Sequence, residues 1–438
     1  MNLLTTNTRK LYFTLLISAL SSTILTTIYS TVDIICIGQY LGPLGSAAVA
    51  YLNPFWTIMI APGILLGIGG AVMMNNRRGS GNEDSALKYF SIAALLTLIC
   101  AALVFFTILF FTEELLIFFG ASGDELSEAI KYMRPMVLAA PTFTLCASFA
   151  TFIRNDGEAF LPTFATVIGG VINIIGDIFF VFDFGLGLGI TGAGIATSIG
   201  QITSTVIILS YFFKKKCTLK FRKIDKFRAR FAKIATVGTP VFLTEISLGI
   251  VAVIFNKMIA VGLGTNHLAV YSTVSTVTIL LHGIYNTLGT ALQPIVSAGY
   301  GAGNSKRIGE VLKIALICAA VFGVIFTLFL QLFPLTILKA YMDVNPEVVK
   351  IGPDIMRIYT MMIGISGITI VISFFLQSVL RRSYSTAISV LRGLVFPAVF
   401  AFVFTWIFGI DAIWLAIPAA EAMTLFISLL FLKRTEKT

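Results

Sequence analysis

The feature that most limits what this chain can become is the recurrence of long apolar stretches. About twelve segments, over 11–37, 46–75, 88–112, 128–152, 160–182, 190–213, 233–262, 266–298, 308–333, 347–378, 384–408 and 411–432, are each long enough to cross a bilayer as a helix. A water-soluble core cannot absorb them. Of 438 residues 57% are apolar and 12% charged, about half the charged share of a soluble domain. Arg9 and Lys10 precede a hydrophobic stretch from Leu11 to Ile37. It is longer than a signal-peptide core and lacks a small-residue cleavage site, so it reads as the first span.

The loops give the orientation. With the N-terminus inside, 24 of the 31 Lys and Arg fall on the cytoplasmic side, ten of them within 214–233. Another cluster, Lys433, Arg434 and Lys437, ends the chain. The opposite loops are poor in basic residues, and one carries Glu113, Glu114, Asp124, Glu125 and Glu128. This alternation predicts a multi-pass membrane protein with both termini in the cytoplasm. The net charge of +10 then serves topology and contact with anionic lipid headgroups, and no nucleic-acid partner is expected. Five scattered cysteines show no CxxC and no metal-ligand spacing, so they read as small core residues without disulfides.

The two halves resemble each other. Gly79-Ser80-Gly81-Asn82 matches Gly301-Ala302-Gly303-Asn304 at an offset of 222, which also pairs Leu41-Gly42 with Leu263-Gly264 and Leu66-Gly67 with Leu288-Gly289. Ala196 and Gln201 match Ala416 and Glu421 at 220. Six spans per half is even, so the repeat is parallel, with its axis along the membrane normal. The expected fold is all-α: twelve transmembrane helices in two six-helix bundles, 1–213 and 233–438, joined by a basic linker, 214–232. Duplicated bundles of this kind alternate access around a central site.

Ionisable residues at membrane depth are costly and mark ion or substrate paths. Asp33 lies in the outer part of the first span and Asp177 at similar depth in the fifth, with Asn173 one turn before it on the same face. Tyr132 and Thr197, in the outer parts of the fourth and sixth spans, complete a possible layer that could hold a proton or coordinate Na⁺ through Asp33, Asn173 and Asp177. The alternative is that both acids cap helix ends near the headgroups. Glu245 falls near the middle of the seventh span; it either attracts cationic substrates or pairs internally, with Arg392 of the eleventh span as the conceivable partner. Asp354, Arg357 and Glu421 belong near spans, but their faces cannot be placed. The glycines at 63, 67, 69 and 70 suit close helix packing, and Pro54, Pro141, Pro240 and Pro397 are expected kink points.

Several segments together resemble the MATE (multidrug and toxic compound extrusion) exporters over the whole chain. Phe152-Ile153-Arg154-Asn155-Asp156-Gly157 looks like the signature of the MepA-like bacterial branch, and Asn173-Ile174-Ile175-Gly176-Asp177 resembles the fifth-helix motif of DinF-type members. Gly189 to Thr197 resembles the glycine-rich start of the sixth helix, and Val32-Asp33 with Tyr40-Leu41-Gly42 the N-terminal acidic site. The resemblance implies a V-shaped pair of bundles, monomeric and surrounded by lipid. It would export cationic, amphipathic drugs in exchange for H⁺ or Na⁺ without a cofactor. It carries Asp33, Asn173, Asp177, Tyr132 and Thr197 onto the family's N-half cation site, and Glu245 onto the seventh-helix acid of NorM-type members. Two departures stand out: the first span has no proline, and Arg392 has no obvious acid beside it, so an acid-rich C-half site is not expected.

The nearest rival is a lipid-linked precursor flippase of the same superfamily. An intramembrane enzyme is disfavoured: the two histidines, His267 and His282, read as structural, and there is no HExxH, Gly-x-Ser-x-Gly or Walker loop. A channel would not need duplicated halves.

Overall fold

The computed structural model describes residues 3–341 and 346–436; Lys437 lies outside the described residues. Among them all regular structure is helical. Twelve helices are long and apolar enough to span a membrane: α1 Thr8–Leu41, α2 Ala48–Gly79, α3 Glu83–Phe118, α4 Gly123–Asn155, α5 Phe160–Val181, α6 Gly189–Phe213, α7 Phe227–Gly262, α8 Asn266–Gly301, α9 Ser305–Leu332, α10 Pro346–Ser378, α11 Arg382–Phe408 and α12 Ile410–Thr435. Most exceed the 20 residues a bilayer requires, and several begin with polar or acidic first turns.

The sequence repeat is also a repeat of local geometry. Gly81 and Gly303 both adopt positive φ, 77° and 70°, a conformation costly for any residue with a Cβ. Directly after them Asn82 and Asn304 cap α3 and α9, each side chain accepting the backbone N–H three residues on, from Ser85 at 3.0 Å and from Arg307 at 3.1 Å. Gly42 and Gly264, the other pair at the same offset, also share positive φ.

Two compact units emerge. The first comprises Ile17–Gly238, and the second takes Thr239 onward together with Asn7–Leu16. In the second, Tyr12 donates to the Leu288 carbonyl at 3.4 Å and Arg307 to Thr8 at 3.3 Å. In the first, α2 packs with almost no side-chain layer. A Cβ at Gly63 would collide with the Thr144 carbonyl of α4, and one at Gly69 with the Ile234 carbonyl at the start of α7. Of the expected kink points, Pro141 and Pro240 lie inside helices, whereas Pro54 opens the helical run from Asn53 and Pro397 follows a π-turn over Leu391–Val395. Pro397 cannot donate to the Gly393 carbonyl, and its ring crowds that oxygen, so the helix widens there.

The basic segment 214–226 is bound to the first unit rather than loose. Asp156, at the end of α4, accepts from Arg78 Nη1 at 2.6 Å, from the Tyr211 hydroxyl at 2.6 Å and from the Thr218 amide at 3.1 Å. Farther along, Arg222 N–H donates to Ser91 at 2.8 Å, Phe221 packs on Phe90, and Asp225 pairs with Lys88 and Arg230. The Lys88 hydrogen bond, backed by Arg230, holds the Asp225 carboxyl below its ordinary range.

Candidate functional site

The polar layer in the first unit is built by α1, α4, α5 and α6. Helices α5 and α6 approach along small residues. A Cβ at Gly169 would strike Ser204 and the Gly200 carbonyl, and one at Gly176 would press on Ala196. That close approach brings Asn173 against Thr197, where Asn173 Nδ2 donates to Thr197 Oγ1 at 3.1 Å. Thr197 Oγ1 lies 3.1 Å from the Tyr132 hydroxyl, which is 3.1 Å from Asp33 Oδ2. One consistent direction satisfies all three bonds. Tyr132 has a single proton and Asp33 accepts it, so Thr197 donates to Tyr132 and receives from Asn173. Four donors and acceptors from four helices therefore form a chain that ends on Asp33.

All five residues expected from the sequence meet here, and all are buried; Asp33 is 7% exposed and Asp177 0%. The helix-cap alternative for the acids does not describe this geometry. Asp33 lies two turns before the end of α1 and Asp177 one turn before the end of α5, both within the packed interior. Asp33 and Asp177 are close neighbours in this buried layer, and among the described residues no hydrogen bond joins their carboxyls. Asp33 Oδ1, Asn173 Oδ1 and both Asp177 oxygens have no donor. Four donor-less acceptor oxygens suit a proton or a hard monovalent cation such as Na⁺, which takes oxygen ligands. Among the described residues no three His, Cys, Asp or Glu converge as a metal site, so an ion here would rely on the Asn173 amide oxygen as well as the two carboxylates.

This layer borders a cavity of about 430 Å³. Asp33, Tyr132, Asn173 and Thr197 line it, but Asp177 does not; it sits behind them. The remaining wall includes Tyr29, Trp56, Phe143 and Gln201. Trp56 packs edge-on against both Tyr132 and Phe143, with centroids at 6.5 and 5.3 Å. These aromatic walls escaped the sequence reading, because 38 Phe and 13 Tyr give no way to tell cavity from lipid. Tyr29 had a signal: it precedes Asp33 by four residues, on the same helix face.

The second unit arranges its charges differently. Arg392, carried on the π-turn of α11, binds Glu421 of α12 through Nε at 2.9 and 3.1 Å and through Nη2 at 2.9 Å. Its Nη2 also meets His282 Nε2 at 2.9 Å. Of the two readings of Glu245, the internal pair with Arg392 is not formed among the described residues. Arg392 does have an acid beside it, from α12 rather than from its own helix or α7, and His282 belongs to the same half-buried cluster. Glu245 lines a pocket of about 40 Å³ together with Arg392, Asn286, Ser373 and Gln377, and among the described residues it forms no hydrogen bond or ion pair. Asp354 and Arg357 form an exposed i,i+3 pair at 3.7 Å.

Against known proteins, the family model MatE matches residues 19–179 and 240–403, one block in each half. The chain belongs to the MATE family of multidrug efflux transporters. Among curated MATE relatives, a multidrug export protein MepA of Staphylococcus haemolyticus is 22% identical over 408 residues, 93% of this chain and 89% of that one. A probable multidrug resistance protein YoeA of Bacillus subtilis is 23% identical over 423 residues, 94% of this chain and 90% of that one. Of solved structures, an outward-facing multidrug resistance MATE transporter of the MOP superfamily aligns over 100% of this chain and 98% of its own, with TM-score 0.89 at 22% identity. A MOP superfamily transporter from Pyrococcus furiosus, described as having a binding pocket of reversed polarity, aligns at 0.89 with 23% identity over 98% and 96% of the two chains. These structures share the fold of this MATE protein, and the MepA-like resemblance in its sequence agrees with the relatives.

Proposed function

We propose that this MATE transporter is a secondary antiporter of the bacterial inner membrane, with both termini in the cytoplasm, that exports cationic amphipathic compounds in exchange for H⁺ or Na⁺. The observation that carries the reading is the buried Asp33–Asp177 pair, rich in donor-less oxygens, of which Asp33 lines a drug-sized aromatic cavity. Two carboxylates in one water-poor layer repel each other unless a proton or a cation stands between them, so the site favours taking up positive charge. Asp33 faces the cavity and Asp177 lies behind it, so an entering ion meets Asp33 first. A lipophilic cation against Tyr29, Trp56 and Phe143 would also seek Asp33, by charge and by cation–π contact. The same carboxylate cannot hold both. Ion binding therefore expels the drug, and drug binding expels the ion. Tyr132, Thr197 and Asn173 hold the Asp33 carboxyl in place, and Glu245, in the second unit's own pocket, is a separate acidic candidate for contact with cationic compounds.

The experiment is dye efflux from proteoliposomes under separately imposed pH and Na⁺ gradients, comparing the native protein with Asp33→Asn. Gradient-driven efflux should appear with one ion and vanish in the variant. Normally folded Asp33→Asn protein with full efflux would sink the proposal. Gradient-independent movement of lipid-linked sugars, with no dye efflux, would favour the flippase reading.

A further inference from the structure

The acid site of the first unit stands at the head of a line of hydroxyls. Along α1, Ser18, Ser22, Thr26 and Ser30 recur every fourth residue and Asp33 follows, so all five lie on one helix face. Thr26, Ser30 and Asp33 line the 430 Å³ cavity. Helix α5 touches α1 closely, since a Cβ at Gly170 would collide with Tyr29. On α5, Thr166 and Asn173 line the cavity, and Thr163 lies one turn before Thr166. Past the end of the cavity opposite Asp33, three hydroxyls are drawn together. Ser18 Oγ lies 2.5 Å from Thr163 Oγ1, and Ser22 Oγ donates to Thr163 at 3.2 Å. Ser22 and Thr163 are buried, and they close the cavity at that end.

Each of these hydroxyls has one proton and more than one acceptor within reach. Ser18 can donate to the Ala159 carbonyl at 2.6 Å or to Thr163, and Ser22 to Thr163 or to the Ser18 carbonyl at 3.2 Å. Thr163 can donate to the Ser18 carbonyl at 2.9 Å or to that of Ala159 at 3.4 Å. Such a cluster can take a proton on one side and release its own on the other without leaving a charge behind. Oxygens in direct hydrogen-bond contact leave no space between them for a metal ion. Arg154 Nη2 also donates to Ser22 at 3.3 Å, and its charge opposes a cation settling there.

Hydroxyls in membrane helices also serve simply to join helices. The internal repeat argues against that role here. At the offset of 222, Thr26, Ser30 and Asp33 correspond to Leu248, Ala252 and Phe255. The second copy keeps the helix and loses the hydroxyls and the acid together, as expected if the hydroxyls serve the acid. The acid end is open to a ligand: Asp33 and Asn173, both more than nine-tenths buried, each hold an oxygen without a donor.

We propose that Ser18, Ser22 and Thr163 form the inner gate of a proton path that links Asp33 to the cytoplasmic ends of α1 and α5. The proposal deepens the antiport reading, rests on it, and assigns the proton as the coupling ion. A proton held by Asp33 passes to water in the cavity, which restores the carboxylate. The stretch of α1 from Asp33 to Ser22, about 16 Å at 1.5 Å per residue, borders a cavity roomy and polar enough for a file of water. Ser22 takes the proton from that water as it gives its own to Thr163. Thr163 gives its own to Ser18, and Ser18 releases one to water at the α4–α5 loop. One proton leaves and every hydroxyl ends neutral. A bound drug cannot follow it.

The test uses the full-length protein in proteoliposomes, with dye efflux driven by separately imposed pH and Na⁺ gradients, and dye binding in detergent read by fluorescence anisotropy. A pH gradient should drive efflux by the native protein. Thr163→Val keeps the side chain's shape and removes its hydroxyl; it should slow that efflux about tenfold and leave dye affinity unchanged, because a positioned proton carrier is lost. Thr163→Ser should restore most of the rate. Replacing H₂O by D₂O should slow Thr163→Val more than the native protein, since proton passage has become its slow step. Ser22→Ala should slow efflux a few-fold, and it serves if Thr163→Val fails to fold. Native rates in both variants, or equal losses of efflux and dye affinity, would reduce the hydroxyls to helix contacts and overturn the proposal. So would efflux driven by Na⁺ alone, which leaves the antiport reading standing. Efflux under neither gradient sinks both.

Discussion

The two units share a helix pattern and differ in what they do with buried charge. In the first, Asp33 and Asp177 face each other with no basic partner, and their open oxygens point to an ion. In the second, Glu421 is closed off by Arg392 and His282. The repeat makes the contrast residue-specific. At an offset of 222, Asp33 corresponds to Phe255, which is fully buried and stacked on Tyr271 at 5.7 Å. At 220, Thr197 corresponds to Ile417, and Gln201 to Glu421. Duplication preserved the scaffold, and a few substitutions gave one copy an unpaired aspartate pair and the other a neutralised Glu421. An unpaired buried acid costs stability and answers to ions; a paired one stabilises its unit and does not.

That difference can be broken from either side. The largest effect should come from Asp33→Asn, which should abolish gradient-driven efflux while leaving thermal stability in detergent unchanged or raised, because a buried unpaired carboxylate is removed. Loss of stability there would equate the two sites and break the comparison. Glu421→Gln should do the reverse: it strands Arg392 in the interior and should cost about 3–5 kcal/mol, seen as a lowered thermal midpoint. The double change Arg392→Met with Glu421→Leu should recover most of that loss, since a buried pair replaced by apolar volume is often neutral. Tyr132→Phe should be milder. It removes one hydrogen bond to Asp33, worth about 1 kcal/mol, and should shift the concentration of coupling cation needed for half-maximal efflux about fivefold.

The smallest effect concerns the linker. The Asp225 carboxyl is held low by Lys88 and Arg230, so its contribution is present above the ordinary carboxylate range and disappears as pH falls through the depressed value. Hydrogen exchange of the 214–226 amides, corrected for the intrinsic pH dependence, should therefore lose protection only at strongly acid pH in the native protein, and Asp225→Asn should be less protected and cleaved faster by trypsin at neutral pH. Equal cleavage of both would show that the clamp rests on Asp156 alone.

Much of this was legible in the chain, for reasons that differ by residue. Twelve apolar stretches dictate twelve helices because lipid offers the backbone no other partner, and helix ends moved by only a few residues from expectation. Asn173 and Asp177 share a face because they are one turn apart, which is local geometry. Their meeting with Asp33, Tyr132 and Thr197 was read from shared membrane depth, a constraint that a bilayer imposes on sequence and water does not. Arg392 failed that test. Its partner lies on another helix, at a depth that Glu245 and Glu421 both approach, and the π-turn before Pro397 rotates the side chain in a way no periodicity encodes.

The sequence by itself determined the number of spans, the duplication and the layer in which its first-half acids lie, since each follows from local hydropathy, repetition or depth. Tertiary packing alone decided which buried charges are neutralised. Glycine contacts between helices set their rotation, and rotation by a fraction of a turn separates a carboxylate that meets an arginine from one left facing a cavity.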